Sequence, residues 1–218
     1  MAEGKRPLLL GHRGARGFRS IPENTFESFD RALADGCDGF EFDVRMTADA
    51  VAVVCHDPTF HEVEIAAATA AQVPQLPCLE HVLSRYRERA FLDIELKVTG
   101  LEMSVLELLR KHPPKLGFVI SSFLPDVLLA LRENEAVVPL GLICETREEL
   151  RRWTGLPVAY VIPNHRLTTE SLVHEFKSAG KKILVWTVND PNAALRFRKL
   201  GVDGVISDQT DLLCRTLG

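Results

Sequence analysis

Short apolar runs rich in Val, Ile and Leu alternate with amphipathic stretches from Leu8 to the end of the chain. Runs of strand type begin near Leu8, Gly39, Phe91, Gly117, Val138, Ala159, Ile183 and Gly204. Most successive starts are spaced for one strand, one helix and two loops, which predicts right-handed βαβ units and a parallel sheet. Eight such units in one domain predict an α/β fold of the (β/α)8 barrel kind. Between the strands, helices are expected at Thr25–Asp35, Leu79–Glu88, Leu101–Lys111, Leu124–Glu133, Glu148–Trp153, Thr169–Ala179 and Asn192–Leu200. The first has clear punctuation, with Asn24 as expected N-cap, Glu27 at N3 and Gly36 closing it. No linker, low-complexity tract or shift of composition interrupts the pattern, so residues 1–218 are expected to form a single domain.

One gap, between Gly39 and Phe91, is too long for a single unit. Phe40–Arg45 is followed closely by a second strand-like run, Val51–Asp57. A parallel crossover needs about a dozen residues or more, so these two runs should form an antiparallel hairpin after the second strand. A turn centred on Asp49-Ala50 would place Asp43 opposite His56, although Ala50 where a tight turn prefers Gly leaves room for a wider loop and a shift of register.

Composition then narrows the partners. The 218 residues carry 26 Lys and Arg against 30 Asp and Glu, a net charge of −4 without basic runs. That balance gives no electrostatic footprint for nucleic acid and no polybasic segment for an anionic membrane. Met1–Pro7 contains two basic residues but no apolar stretch of signal-peptide length, and the five cysteines are scattered without a CxxC pair. Reduced thiols and a cytoplasmic location are the expectation.

The chemistry gathers at strand ends. Residues two apart on a strand share a face, so Glu41 and Asp43 stand together, as do Asp93, Glu95 and Lys97, opposite the apolar residues of the same strands. In a barrel the apolar faces meet the helices, which sends the acids inward. Buried carboxylates without partners are costly, and a hard cation bound by Glu41, Asp43 and Glu95 would account for them. A salt-bridge cluster with Lys97, Arg13 and Arg45 is the competing account, and Asp93 is expected one layer deeper. His12 and Arg13 end the first strand at the same face, His12 as a proton-transfer group and Arg13 as an anion holder. A second histidine, His56, lies on the hairpin. Two histidines, two basic side chains and three acids suit hydrolysis of a phosphate ester. The register above would let Asp43 stabilise a protonated His56 as the acid, leaving His12 to activate the attacking oxygen; the reverse order stays open.

The chain resembles the glycerophosphodiester phosphodiesterases over nearly its whole length. The resemblance rests on Gly11-His12-Arg13-Gly14-Ala15, Pro22-Glu23-Asn24-Thr25, Glu41-Phe42-Asp43-Val44, His56-Asp57, Ile94-Glu95-Leu96-Lys97, Ser121-Ser122-Phe123, Val185–Asn189 and Val202–Asp208, in that order. It implies a TIM barrel, one divalent cation (calcium or magnesium) on Glu41, Asp43 and Glu95, and His12 with His56 as the acid–base pair. It also implies that Arg13 and Lys97 contact the phosphate and that Phe123 and Trp186 line the rim. The implied reaction is hydrolysis of a small glycerophosphodiester, such as glycerophosphocholine or glycerophosphoethanolamine, to glycerol 3-phosphate and an alcohol. A lysophospholipase D-like or cyclising barrel enzyme, or a silent phosphodiester-binding barrel, are the alternatives. The chain departs from the family after His56-Asp57, where only Pro58–Pro77 stands in place of a longer excursion.

Overall fold

The computed structural model describes residues 6–218, so most of the Met1–Pro7 stretch lies outside the described residues. The chain runs β1 (Leu8–His12), α1 (Phe26–Ala34), β2 (Gly39–Met46), β3 (Ala52–Val54), β4 (Thr59–Phe60), β5 (Val63–Glu64), α2 (Leu79–Tyr86) and β6 (Phe91–Leu96). It continues α3 (Glu102–Lys111), β7 (Phe118–Ser122), α4 (Pro125–Asn134), β8 (Leu140–Cys144), α5 (Arg147–Leu150), β9 (Tyr160–Pro163), α6 (Glu170–Ser178), β10 (Lys182–Val185), α7 (Pro191–Leu200), β11 (Gly204–Ser207) and α8 (Thr210–Leu217). The strands follow the order β1-β11-β10-β9-β8-β7-β6-β2-β3, and β1 also pairs with β2. That last pairing closes eight parallel strands into a barrel, with β3 attached antiparallel to the upper part of β2. The (β/α)8 expectation therefore holds.

Alternation of residues along the strands decides what lies inside. Phe40, Phe42 and Val44 of β2, with Leu92, Ile94 and Leu96 of β6, pack outward against Phe29, Val82, Leu83 and Tyr86 of the helices. Phe29 stacks on Phe40 with centroids 4.2 Å apart and meets Tyr86 edge-on at 5.8 Å. The lower barrel interior is a separate apolar plug containing Leu10, Val119, Ile143, Ile162, Leu184 and Ile206. The upper interior is left to polar side chains. Close packing has a local demand at Gly39, where an added Cβ would sit 1.9 Å from the Phe91 carbonyl oxygen.

The helix starts use side-chain caps where the sequence offers them: Thr25 Oγ1 accepts the Ser28 N–H of α1, and Asp190 accepts that of Ala193 in α7. This corrects the assignment of Asn24 as N-cap. Asn24 is one residue earlier, at φ +59°, with its side chain turned to Asp43. The fifth expected helix is shorter than its span, because α5 tightens at Arg151 into a 3-10 turn ending at Gly155. All five cysteines are free; the Sγ atoms of Cys37 and Cys214 lie 3.6 Å apart.

The hairpin register also needs correction. Val44 pairs with Val54, Arg45 with Val53 and Met46 with Ala52, so Asp43 faces Cys55, whose N–H donates to the Asp43 carbonyl at 3.0 Å. The turn is wider than two residues. Thr47 N–H donates to Val51 O, Thr47 Oγ1 holds Asp49, and Ala50 takes φ +61°. Beyond it, Pro58–Pro77 forms the small β4–β5 hairpin and two 3-10 turns, tied back through Ala48 N–H to Ala68 O.

Candidate active site

Strand register builds the site in two rows at the C-terminal mouth of the barrel. His12 aligns with Glu41, and Glu41 with Asp93. Asp43 aligns with Glu95, and Glu95 with Ser121. Because Glu41 and Asp43 share a face, as do Asp93 and Glu95, both rows point inward. One oxygen from each of Glu41, Asp43 and Glu95 lies within 4.8 Å of the others, and all three residues are buried.

The loop after β1 holds the next groups. Arg13 sits at φ +50°, and its N–H donates to Glu41 Oε2 at 3.0 Å. Gly14, at φ +79°, lets the chain turn against α1, where a Cβ would fall 2.4 Å from Ser28 Oγ. The Arg13 guanidinium reaches Asp43 Oδ2 at 3.3 Å and Glu23 Oε1 at 2.7 Å, and Arg16 braces the other oxygen of Glu23 at 2.7 Å. Lys97 lies 2.6 Å from Glu95 Oε1 and 3.4 Å from Asp43 Oδ1. Asn24 Nδ2 donates to Asp43 Oδ2 at 2.9 Å. Arg45 plays no part in the acid cluster, since its Nε–H donates to the His56 carbonyl.

The charge balance separates the two accounts of the cluster. Arg13 and Lys97 pair mainly with Asp43 and Glu95, while among the described residues Glu41 has only the His12 imidazole within ion-pairing distance, with Nε2 at 3.8 Å. Glu41 Oε1, Asp43 Oδ1 and Glu95 Oε1 are buried without an aligned hydrogen-bond donor. Burial and then the Asp43 and Glu95 charges push the Glu41 carboxyl well above its ordinary range. Burial raises Asp93 to about 7, and burial with Asp43 raises Glu95. For Asp43 burial acts in the same sense, but Arg13, Lys97 and Asn24 outweigh it and hold the group low. Salt bridges thus compensate Asp43 and Glu95 in part and leave Glu41 without a Lys or Arg partner, in a donor set made of oxygen alone. Such a donor set fits a hard divalent cation, and without Cys or His it does not fit a soft one.

The two histidines are set differently. His12 is 8% exposed, and its Nδ1 lies 2.7 Å from Asp208 Oδ1. Asp208 is itself held by Asn189, whose Nδ2 donates to Oδ2 at 2.7 Å and whose Oδ1 accepts the Asp208 N–H. Burial opposes ionisation of Asp208, yet its bonds to His12 and Asn189 and the Arg16 charge hold its pKa at about 2. His56 has a side chain 33% exposed, and its Nδ1 lies 2.7 Å from Asp57 Oδ1. Partial burial lowers the His56 pKa, against the raising effects of the Asp43 charge and the bond to Asp57.

His12, Arg13, Glu41, His56, Glu95 and Lys97 line one cavity of about 300 Å3. Phe123, Glu145 and Trp186 also line it, and Lys97 Nζ lies 5.6 Å from the Phe123 ring centroid. The Phe123 and Trp186 rings meet edge-on at 5.7 Å, and Trp186 Nε1–H donates to the Ile162 carbonyl. Every site residue expected from the sequence lies at this cavity except Asp43, which is buried beneath it among Arg13, Lys97 and Asn24. The sequence assigns no site role to Asp208 or Glu145, and it gives Asn24 only a helix cap. An acid at the C-terminal end of a barrel strand was the available signal for Asp208.

Comparison with known proteins agrees with this fold. The chain matches the glycerophosphoryl diester phosphodiesterase family over residues 12–101 and 97–212. A glycerophosphodiester phosphodiesterase of Caldanaerobacter subterraneus is 27% identical, with 95% of this chain and 96% of the relative covered. The Thermotoga maritima glycerophosphodiester phosphodiesterase structure superposes with a TM-score of 0.83 at 27% identity, covering 96% of this chain and 97% of that one. An Oleispira antarctica phosphodiesterase, solved with its product sn-glycerol-3-phosphate, gives 0.83 at 26% identity, covering 97% and 96%.

Proposed function

Since the chain belongs to the glycerophosphoryl diester phosphodiesterase family, we propose that it hydrolyses small glycerophosphodiesters to glycerol 3-phosphate and an alcohol, with a divalent cation held by Glu41, Asp43 and Glu95. The observation that carries this reading is the meeting of two histidines, two basic side chains and an undercompensated carboxylate triad in one cavity. When bound, the cation supplies positive charge to the phosphodiester as negative charge builds up on it.

The protein's own groups do the rest. Arg13 is anchored by Glu23 and Asp43, and Lys97 by Glu95 and Asp43, so both present fixed positive charge to a phosphate. His12 accepts the proton of the attacking oxygen. Its pairing with Asp208 favours a proton on Nδ1, which leaves the Nε2 lone pair facing Glu41 and the cavity. His56, nearer solvent, protonates the departing alkoxide from Nε2 while Nδ1 stays with Asp57.

Leaving-group substitution tests this division. Protonation matters less as the leaving group becomes a weaker base. His56→Ala should therefore cost on the order of 10² to 10⁴ with a choline or ethanolamine leaving group, and much less with a nitrophenyl phosphodiester. His12→Ala should lose activity on both. Rescue of His12→Ala rather than His56→Ala by the better leaving group would exchange the two roles.

A further inference from the structure

Apart from the fully buried Asp93, the cavity is lined by one acid that the proposed reaction does not use. This is Glu145, which follows the last residue of β8. Ile143 belongs to the barrel's inner plug, and residues two apart share a face, so Glu145 continues the inward-facing row at the mouth. The ladder places it level with the aromatic wall: Cys144 aligns with Pro163, and the next residue of that strand, Asn164, bridges to Trp186. The start of the following helix does not need its carboxylate. Glu149 Oε2 accepts the N–H groups of both Glu145 and Thr146, and Thr146 Oγ1 caps Glu149. Glu145 has no ion-pair partner among the described residues, although other acids nearby do, as Glu148 does in Arg152.

A free carboxylate in a cavity built for a phosphodiester anion repels that anion unless the substrate brings its own positive charge to this wall. Trp186 adds a ring surface that favours an alkylated ammonium, whereas the Phe123 ring already faces Lys97, whose Nζ lies 5.6 Å from its centroid. Arg13 follows β1, which lies across the closed barrel from β8, so the cavity is polarised from a phosphate end at Arg13 to a cation end at Glu145, with Lys97 beside Phe123 between them. We infer that Glu145, together with Trp186, selects glycerophosphodiesters whose alcohol is a cationic amino alcohol over those whose alcohol is neutral. This rests on the hydrolytic reading above and adds the discriminating residue.

The test compares kcat/KM for glycerophosphocholine and glycerophosphoethanolamine with that for glycerophosphoglycerol. The neutral alcohol differs in charge while the phosphodiester is kept. In Glu145→Gln the cationic-to-neutral ratio should fall about five- to tenfold, the size of one partly screened ionic or cation–π contact. Glu145→Lys should lower it further. A structural role for Glu145 would lower both substrates together and leave the ratio in place. An unchanged ratio in both variants would overturn the inference while leaving phosphodiester hydrolysis intact. Turnover of none of the three substrates by the unmodified protein would overturn both.

Discussion

Asp208→Asn is the substitution whose consequence the structure specifies in most detail. The two carboxylate oxygens have different partners: Oδ1 meets His12 Nδ1 at 2.7 Å, and Oδ2 accepts from Asn189 Nδ2 at 2.7 Å. An asparagine keeping its oxygen on Asn189 would turn its NH2 to His12, where two donors cannot meet. Nδ1 would have to become the acceptor, the proton would move to Nε2, and the lone pair facing the cavity would be lost. The expected cost is on the order of 10² to 10⁴ in kcat, as for other bases held in the wrong tautomer. The cost in stability is smaller. Asp208 moves from its ordinary 3.8 to about 2, which corresponds to roughly 2 kcal/mol at neutral pH. For a domain of this size that is a fall in Tm of about 4 to 8 °C. Steady-state kinetics on glycerophosphocholine, with thermal melts on the same samples, would measure both. If Asp208→Asn keeps more than a third of the original kcat, Asp208 does not set the tautomer of His12 and that reasoning fails.

The same carboxylate shapes the acid limb of stability. Because its folded-state pKa lies below its ordinary value, its stabilisation is complete above about pH 4 and disappears as pH falls towards 2; denaturation curves of Asp208→Asn should approach those of the original protein at the acid end, and a constant gap down to pH 2 would contradict this. In the core, Phe29 is fully buried between Phe40, Phe42 and Tyr86, so Phe29→Ala should cost about 3 to 5 kcal/mol by chemical denaturation, and a loss below 1 kcal/mol would mean that the cluster repacks. A cavity of about 300 Å3 and a short Pro58–Pro77 segment provide little to hold an acyl chain. Glycerophosphodiesters should therefore be hydrolysed faster than lysophosphatidylcholine compared below its micelle point, and a reversed preference would refute this.

The barrel was legible because its information is local and periodic. Phe40-Glu41-Phe42-Asp43 alternates with period two, which identifies both the strand and the face that carries the acids. Glu41, Asp43 and Glu95 converge as that alternation predicts. What escaped depends on distant or conformationally unusual residues. Asn24 reads as a cap from its neighbours, but Thr25 takes that task, and a left-handed backbone frees Asn24 to bind a carboxylate 19 residues away. Asp208 meets His12 across 196 residues, through the closure of the last strand onto the first, and nothing near either position announces the pairing. The hairpin slipped by one because the Thr47 and Asp49 side chains support a wider turn than a midpoint construction assumes. Glu145 was hidden in an acid-rich stretch, Glu145 to Glu149, where only the fold separates the residue at the cavity from those that start the helix.

The cation is the centre of this account, and product formation with and without chelation tests it most directly. Glycerol 3-phosphate released from glycerophosphocholine should fall to background after EDTA treatment and return on addition of calcium or magnesium. Glu41→Gln, Asp43→Asn and Glu95→Gln, with unaltered circular dichroism, should not recover at the same cation concentrations. Full activity in the chelated protein, or in any one of these three variants, would contradict the assignment of the carboxylate triad.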